Sequence, residues 1–93
     1  MNEMDKKIKF SELVKKNFYV VHCSTYESAC CLLYHAHRNG LVWDSGQTYI
    51  EEDNWYHYMQ GTCYNLNEGD YGNYDYYRND LGYVIIEFED IIF

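Results

Sequence analysis

The sequence predicts an α+β domain with a mainly antiparallel sheet of four to five strands, one long helix packed on one face, and one or two short helices. Three observations lead to this fold class. Short β-branched and aromatic runs recur along the chain, and one amphipathic stretch is long enough for several helical turns. Gly, Asn, Asp or Ser must make every turn, because the chain has no proline. Its 93 residues can form one core, so we expect a basic N-terminal arm or short helix at 1–17 and a single domain at 18–93.

The first strand and the long helix follow each other directly. Residues 18–23 are almost continuously apolar, which indicates a central strand. Ser24, with Glu27 three positions later, has the form of a capping box, so we expect the helix to start there. Apolar residues then recur at helical spacing, and Gly40 supplies a residue able to adopt the left-handed conformation that ends helices. The helix is predicted at about 25–39.

Shorter segments make up the second half of the chain. Residues 41–43 and 47–50 flank a glycine-containing turn, which is typical of a hairpin. The remaining predicted elements are a helical turn at 54–59, a strand at 62–66, a loop at 67–72, a short helix at 74–79 and a strand at 83–88. The predicted order is therefore β-α-β-β-(α)-β-(α)-β.

Charge is distributed unevenly along the chain. The first sixteen residues hold five of the seven basic residues, whereas from Asn17 onward Arg38 and Arg78 face twelve carboxylates. A negative field of this size repels phosphate, so we expect no direct binding of nucleic acid and instead attraction to a basic protein surface. The sequence contains neither an apolar run long enough for a membrane span nor a signal peptide, so we expect a cytoplasmic protein with no membrane partner.

The histidines and cysteines do not form a recognisable catalytic or metal-binding motif. His35 and His37 lie two positions apart on the predicted helix and diverge by about 200°. The four cysteines include no C-x-x-C pair, and we expect free thiols. Cys23, just before a helix N-terminus, is the candidate nucleophile, although a buried structural cysteine is the commoner role. We expect a protein without enzyme activity, cofactor or metal.

Tyrosine interleaved with acidic residues is the pattern that indicates function. Twelve tyrosines exceed what a domain of this size can bury with every hydroxyl paired, so several should be exposed. The segments 51–58 (EEDNWYHY) and 70–77 (DYGNYDYY) place rigid rings beside carboxylates. Such rings are typical of binding hot spots, and carboxylates steer association toward basic partners. The candidate partner-binding residues are Glu51, Glu52, Asp53, Asp70, Tyr71, Tyr74, Asp75, Tyr76 and Tyr77.

Two other interpretations stay open from the sequence. Trp43, Trp55 and Arg78 are the natural stacking and phosphate contacts for a nucleotide-type ligand, in which case the protein would sequester a small defence signal. A non-enzymatic adaptor protein that self-associates through exposed rings, for example as a homodimer, is the third interpretation.

The segments FYVVHC (18–23), GLVW (40–43), TCY (62–64) and GYVIIEF (82–88), with a capped helix and Gly46 between them, follow one another over about residues 18–88. This order resembles small uncharacterised proteins of phages and prophages in low-GC Gram-positive bacteria. Such proteins often come from gene clusters that include anti-CRISPR and other anti-defence products. The resemblance implies an anti-CRISPR-like inhibitor that acts in the host cytoplasm on a defence protein, such as a CRISPR effector, with a basic nucleic-acid-binding surface.

Overall fold

The protein has an α+β fold, as predicted, in a computed structural model that describes residues 7–93. In this part of the chain six strands form two sheets. The strands are β1 (Ile8–Lys9), β2 (Tyr19–Cys23), β3 (Thr62–Asn65), β4 (Asp70–Asn73), β5 (Val84–Glu87) and β6 (Ile91–Ile92), and the helices are α1 (Phe10–Leu13) and α2 (Tyr26–Arg38). Turns of 3-10 helix lie at Trp55–His57, Met59–Gly61 and Phe88–Asp90, and a π-helical turn lies at Tyr76–Asp80.

The larger sheet has four strands in the order β4-β3-β2-β5. The pairings of β2 with β3 and of β3 with β4 are antiparallel, whereas β5 pairs with β2 in parallel. The central position predicted for β2 is confirmed. The sheet is mixed because β5 returns to the free side of β2 only after the chain has crossed from the opposite edge of the sheet, a connection that permits parallel pairing.

The smaller sheet ties the N-terminal segment to the end of the described chain. β1 pairs in parallel with β6, so that Ile8 lies opposite Ile91. Phe10 and Leu13 of α1 follow β1 directly and are buried in the main core. Residues 7–17 of the predicted basic arm or short helix are thus packed against the domain, whereas positions 1–6, which include Lys6, lie outside the described residues.

The long helix α2 is confirmed, but its N-cap is one residue later than predicted. Thr25 is the cap: its Oγ1 accepts a hydrogen bond from the Ser28 N–H at 3.1 Å, and Ser28 Oγ accepts one from the Thr25 N–H at 3.4 Å. The prediction that Ser24 and Glu27 form the capping box is therefore wrong. The reciprocal contact that a glutamate usually makes comes here from a serine hydroxyl at the same helical position.

The main core lies between α2 and one face of the four-stranded sheet. Its buried members are Phe10, Leu13, Val21, Cys23, Ala29, Leu32, Leu33, Ala36, Trp43, Tyr49, Tyr64, Leu66 and Ile91. The opposite face of the sheet carries a smaller buried cluster of Val20, Cys63 and Tyr77, because alternate residues of a strand point to opposite faces. Within residues 7–93 no helix combines the length and the apolar character that a membrane crossing requires.

Two predicted elements in the second half are corrected. The expected hairpin at 41–50 is a loop with one antiparallel bridge, between Val42 and Thr48. Trp43 and Tyr49 turn into the core instead, with ring centroids 4.5 Å apart. The expected loop at 67–72 contains the start of β4, because Gly69, at φ +72°, makes the tight turn that lets β4 fold back on β3.

Candidate partner-binding surface

The loop that follows Tyr49 presents apolar side chains to solvent. Ile50, Tyr56, Tyr58 and Met59 are all exposed, with Tyr56 the most accessible of them at 65%. Asn54 and Met59 have positive φ values of 57° and 50°, which residues other than glycine rarely adopt. Such backbone persists where surrounding contacts enforce it, and it is concentrated in functional segments.

Two buried aromatic residues hold this loop against the core. Trp43 Nε1 donates a hydrogen bond to the backbone oxygen of Glu52 at 2.7 Å. The Tyr64 hydroxyl donates to the backbone oxygen of Asp53 at 2.8 Å. The backbone of Glu52 and Asp53 is therefore anchored from inside the protein. This anchoring lowers the entropic cost of presenting their carboxylates to a partner.

Tyr71 of β4 joins the two acidic segments predicted from the sequence. Its ring centroid lies 5.7 Å from that of His57 and 6.1 Å from that of Tyr58. Burial raises the pKa of Tyr71, and so do the nearby Tyr58, Asp70 and Glu52, because negative groups disfavour a phenolate. Glu52 and Asp70 therefore both lie near Tyr71 at the edge of the sheet, although Asp70 precedes Tyr71 on β4 and its side chain points to the opposite face. We name this surface, formed by Glu52, His57, Tyr58, Asp70 and Tyr71, the acidic edge.

The acidic edge is not neutralised by the described part of the chain. Among residues 7–93 the one ion pair joins His22 to Glu87, with His22 Nδ1 2.8 Å from Glu87 Oε1. No lysine or arginine nitrogen in this range lies within 4.0 Å of the carboxylate of Glu52 or Asp70. The edge thus keeps its negative field, which attracts cations in proportion to its unpaired charge.

The other predicted partner-binding residues are distributed more widely. Glu51, Asp75 and Tyr76 are exposed, and Asp53 is half-buried. Tyr74 is also half-buried, with its ring centroid 4.9 Å from that of His22. These residues do not all lie on the side of the sheet that carries Tyr71.

Tyr77 corrects the predicted set of partner-binding residues. It is 3% exposed and packs with Val20 and Cys63 on the second face of the sheet, so its ring belongs to the core and cannot contact a partner. The chain turns across that face directly after the edge strand β4, and this turn carries Tyr77 inward. Four tyrosines in one short segment therefore have different environments.

The three residues predicted to bind a nucleotide-type ligand do not form one pocket. Trp43 is 4% exposed and belongs to the main core, and Trp55 packs against that core with Nε1 donating to the Cys23 backbone oxygen at 3.3 Å. The Arg78 guanidinium lies 6.0 Å from the ring centroid of Tyr74, which packs on the second face of the sheet. The sheet separates the two tryptophans from the arginine.

A groove with a volume of about 170 Å³ lies beside the loop, between α2 and residues 49–53. It is lined by Tyr26, Cys30, Leu33, Tyr34, Tyr49, Ile50 and Asp53; we name it the α2 groove. The predicted site omitted Tyr26 and Tyr34. Helical spacing could have identified them, because residues 26, 30 and 34 lie four positions apart and share one face of α2, away from the buried Ala29 and Ala36. A larger hollow of about 320 Å³ is lined by residues of α1, α2 and β6.

The buried cysteines have the properties of core residues. Burial raises the pKa of Cys63 to about 12 and raises the pKa of Cys23 well above its usual range. Both stay protonated near neutral pH, the opposite of the low pKa that activates a nucleophilic cysteine. Within residues 7–93 no group of three or more His, Cys, Asp or Glu side chains is close enough together to hold a metal ion.

No protein-family model, curated protein or solved structure shows significant similarity to this chain.

Proposed function

We propose that the protein is a binding inhibitor that docks its acidic edge onto the basic nucleic-acid-binding surface of a host defence protein. The observation that carries the proposal is that Glu52 and Asp70 both lie near Tyr71 of the edge strand β4, with no lysine or arginine of residues 7–93 within 4.0 Å of either carboxylate. The resemblance to phage and prophage proteins favours a CRISPR effector in the host cytoplasm as the class of partner.

Carboxylates and rings contribute differently to such binding. The unpaired carboxylates would occupy lysines and arginines that otherwise hold phosphates, and they would accelerate association with the basic surface. Exposed rings such as Tyr56 and Tyr58 would supply contact area at small entropic cost. The anchored backbone of the loop reduces the ordering that binding requires.

A protein partner is favoured over the two alternatives. The formal net charge of −8 opposes direct binding of nucleic acid. A nucleotide-type ligand would need stacking and phosphate contacts on one side of the molecule, whereas Trp43 is buried and Arg78 lies across the sheet from it. An acidic, ring-bearing surface instead complements a basic protein surface.

The proposal is tested by competition with DNA. Purified guide-loaded CRISPR effectors from low-GC Gram-positive bacteria are bound to fluorescently labelled target DNA, and displacement is followed by anisotropy. We expect the protein to displace the DNA and to do so less well as salt rises from about 50 to 200 mM, because ions screen the contacts. The double variant Glu52→Gln, Asp70→Asn should weaken displacement about tenfold or more.

The matched control carries the same two chemical changes elsewhere. Asp80 and Glu89 are exposed and lie outside the acidic edge, so the variant Asp80→Asn, Glu89→Gln has the same net charge as the test variant. It should retain most of the displacement. Equal losses in the two variants, displacement that does not depend on salt, or no displacement from any effector would contradict the proposal.

A further inference from the structure

The α2 groove has one wall of aromatic and apolar side chains on a helix. Tyr26, Cys30 and Tyr34 are exposed and occupy successive turns of α2, so their side chains lie in one row. Ile50, which is 63% exposed, lines the opposite wall with Asp53. Asp53 is the one carboxylate among the lining residues.

Asp53 is fixed in position before any partner arrives. Its Oδ2 accepts a hydrogen bond from the Tyr26 hydroxyl at 3.1 Å, and its Oδ1 accepts one from the Trp55 N–H at 2.9 Å. The backbone oxygen of the same residue accepts from the Tyr64 hydroxyl at 2.8 Å. A carboxylate has about four acceptor positions, so each oxygen can still accept a further donor.

The charge of Asp53 is uncompensated within the described chain. No lysine or arginine nitrogen in residues 7–93 lies within 4.0 Å of its carboxylate. Asp53 is half-buried, so its attraction to a cation is less screened by water than that of a fully exposed carboxylate. The nearby cation on α2 is Arg38, which is not a lining residue; its guanidinium lies 5.9 Å from the Tyr34 ring centroid.

We infer that the α2 groove receives an arginine side chain of the partner protein, with the guanidinium on Asp53 and its flat face against the ring of Tyr26 or Tyr34. This inference rests on the proposed function, which supplies a basic partner, and it names one residue that the partner presents. A guanidinium is planar and weakly hydrated and stacks on aromatic rings, whereas a lysine ammonium is compact and strongly hydrated.

The size of the groove agrees with a single side chain. Its volume of about 170 Å³ is below the roughly 300–1,000 Å³ that is typical of small-molecule sites. The groove also adjoins the acidic edge in sequence, since Asp53 follows Glu52 directly. Both features therefore share the loop that follows Tyr49.

The probes are three short capped peptides, Gly-Arg-Gly, Gly-Lys-Gly and Gly-citrulline-Gly, titrated into isotopically labelled protein and followed by amide chemical shifts. Citrulline keeps the shape of arginine without its charge. We expect the arginine peptide to shift the amides of Tyr26, Cys30, Tyr34 and Ile50 with saturation, the lysine peptide to bind more weakly, and the citrulline peptide to leave these signals unchanged.

Two variants make the assignment specific. Asp53→Asn keeps an oxygen for the Tyr26 hydroxyl but removes the charge, and Tyr34→Leu changes a ring that is 51% exposed. Each should weaken arginine-peptide binding about tenfold, while Asp80→Asn, at an exposed site outside the groove, should not. Citrulline shifts equal to arginine shifts, or arginine shifts that Asp53→Asn leaves unaltered, would overturn the inference.

Failure of the groove and failure of the proposed function give different results. In one case, the variants Asp53→Asn and Tyr34→Leu displace DNA from the effector with the same efficiency as the unchanged protein, while the double variant Glu52→Gln, Asp70→Asn does not. The inhibitor proposal then stands, and the groove has no part in it. If the arginine peptide binds the groove but the protein displaces no DNA, the arginine site stands and the proposed inhibition fails.

Discussion

His22 of β2 lies beside Glu87 of β5 in the parallel pairing of the two strands, with His22 Nδ1 2.8 Å from Glu87 Oε1. The second ring nitrogen, Nε2, lies 2.7 Å from the backbone oxygen of Gln60. In its protonated form the ring donates to both acceptors. One side chain thus connects β2, β5 and the turn that leads into β3.

Removing the carboxylate from this arrangement should destabilise the fold. We expect Glu87→Ala to lower the free energy of unfolding by about 1 kcal/mol, because the hydrogen bond is charge-assisted but Glu87 is 42% exposed. Urea unfolding measures the change, and about 1 M salt should reduce it. Glu89→Ala, at an exposed position, is the control; if both variants lose the same stability, the pair has no special role.

The hydroxyls of Tyr49 and Tyr64 should respond oppositely to removal. The buried Tyr49 hydroxyl has no hydrogen-bond partner among residues 7–93, so Tyr49→Phe should leave stability unchanged or raise it by about 1–3 kcal/mol. Tyr64→Phe loses the bond to the Asp53 backbone oxygen and should lower stability by about 1 kcal/mol. Chemical unfolding of both variants tests this, and a larger loss for Tyr49→Phe would contradict it.

Alkaline pH should destabilise the protein through its buried thiols and phenols. Burial raises the pKa of Cys63 from 9.0 to about 12 and that of Tyr49 from 10.0 to about 12. A pKa that is raised in the folded state means that the folded protein favours the neutral form of the group. Its contribution to the free energy of unfolding is therefore complete below the pKa of the unfolded chain and is lost as pH rises toward the pKa of the folded protein. Urea midpoints should therefore fall from pH 9.0 upward.

The contribution of Cys63 to this decline can be isolated. Cys63→Ala should flatten the early part of the fall, whereas Cys31→Ala, which changes an exposed thiol, should follow the unchanged protein. Any loss of packing in Cys63→Ala lowers its urea midpoints by a similar amount at every pH. The slope of the midpoint against pH therefore still measures the effect of thiol titration. Identical slopes for the two variants would exclude this thiol as a cause.

Gly69 should tolerate alanine far less than Gly46 does. Both have positive φ, +72° and +92°, but a Cβ on Gly69 would lie 2.7 Å from the Asp44 nitrogen and 2.8 Å from the Val42 oxygen, whereas one on Gly46 would meet no atom of the described residues within 4 Å. Gly46→Ala should cost about 1 kcal/mol and Gly69→Ala at least about 2 kcal/mol more. Thermal unfolding compares them; equal losses would contradict the close approach.

The elements that local pattern determines were predictable from the sequence. The apolar run around Val20 and Val21 identified a central strand, and the spacing of Ala29, Leu33 and Ala36 identified α2. The pairings of β2 with β5 and of β1 with β6 were not predictable, because they join residues far apart in sequence. Local sequence patterns do not determine which distant strand pairs with a given strand.

The candidate site shows the same division. The sequence indicated that acidic residues and rings belong together, but the approach of both Glu52 and Asp70 to Tyr71 depends on the turn at Gly69 that returns β4 beside β3. Tyr76 and Tyr77 are indistinguishable in the sequence, yet one is exposed and the other buried. Their difference arises from the path of the chain after an edge strand.

The pairing of Ile8 with Ile91 brings together residues separated by almost the entire described length of the chain. Contacts of such high sequence separation form late, because the intervening chain must lose its freedom first. During translation β1 and α1 emerge from the ribosome well before β6, the strand that completes their sheet. Until then Phe10 and Leu13 have no β6 to pack beside, so the nascent protein remains open to chaperones and proteases at this place.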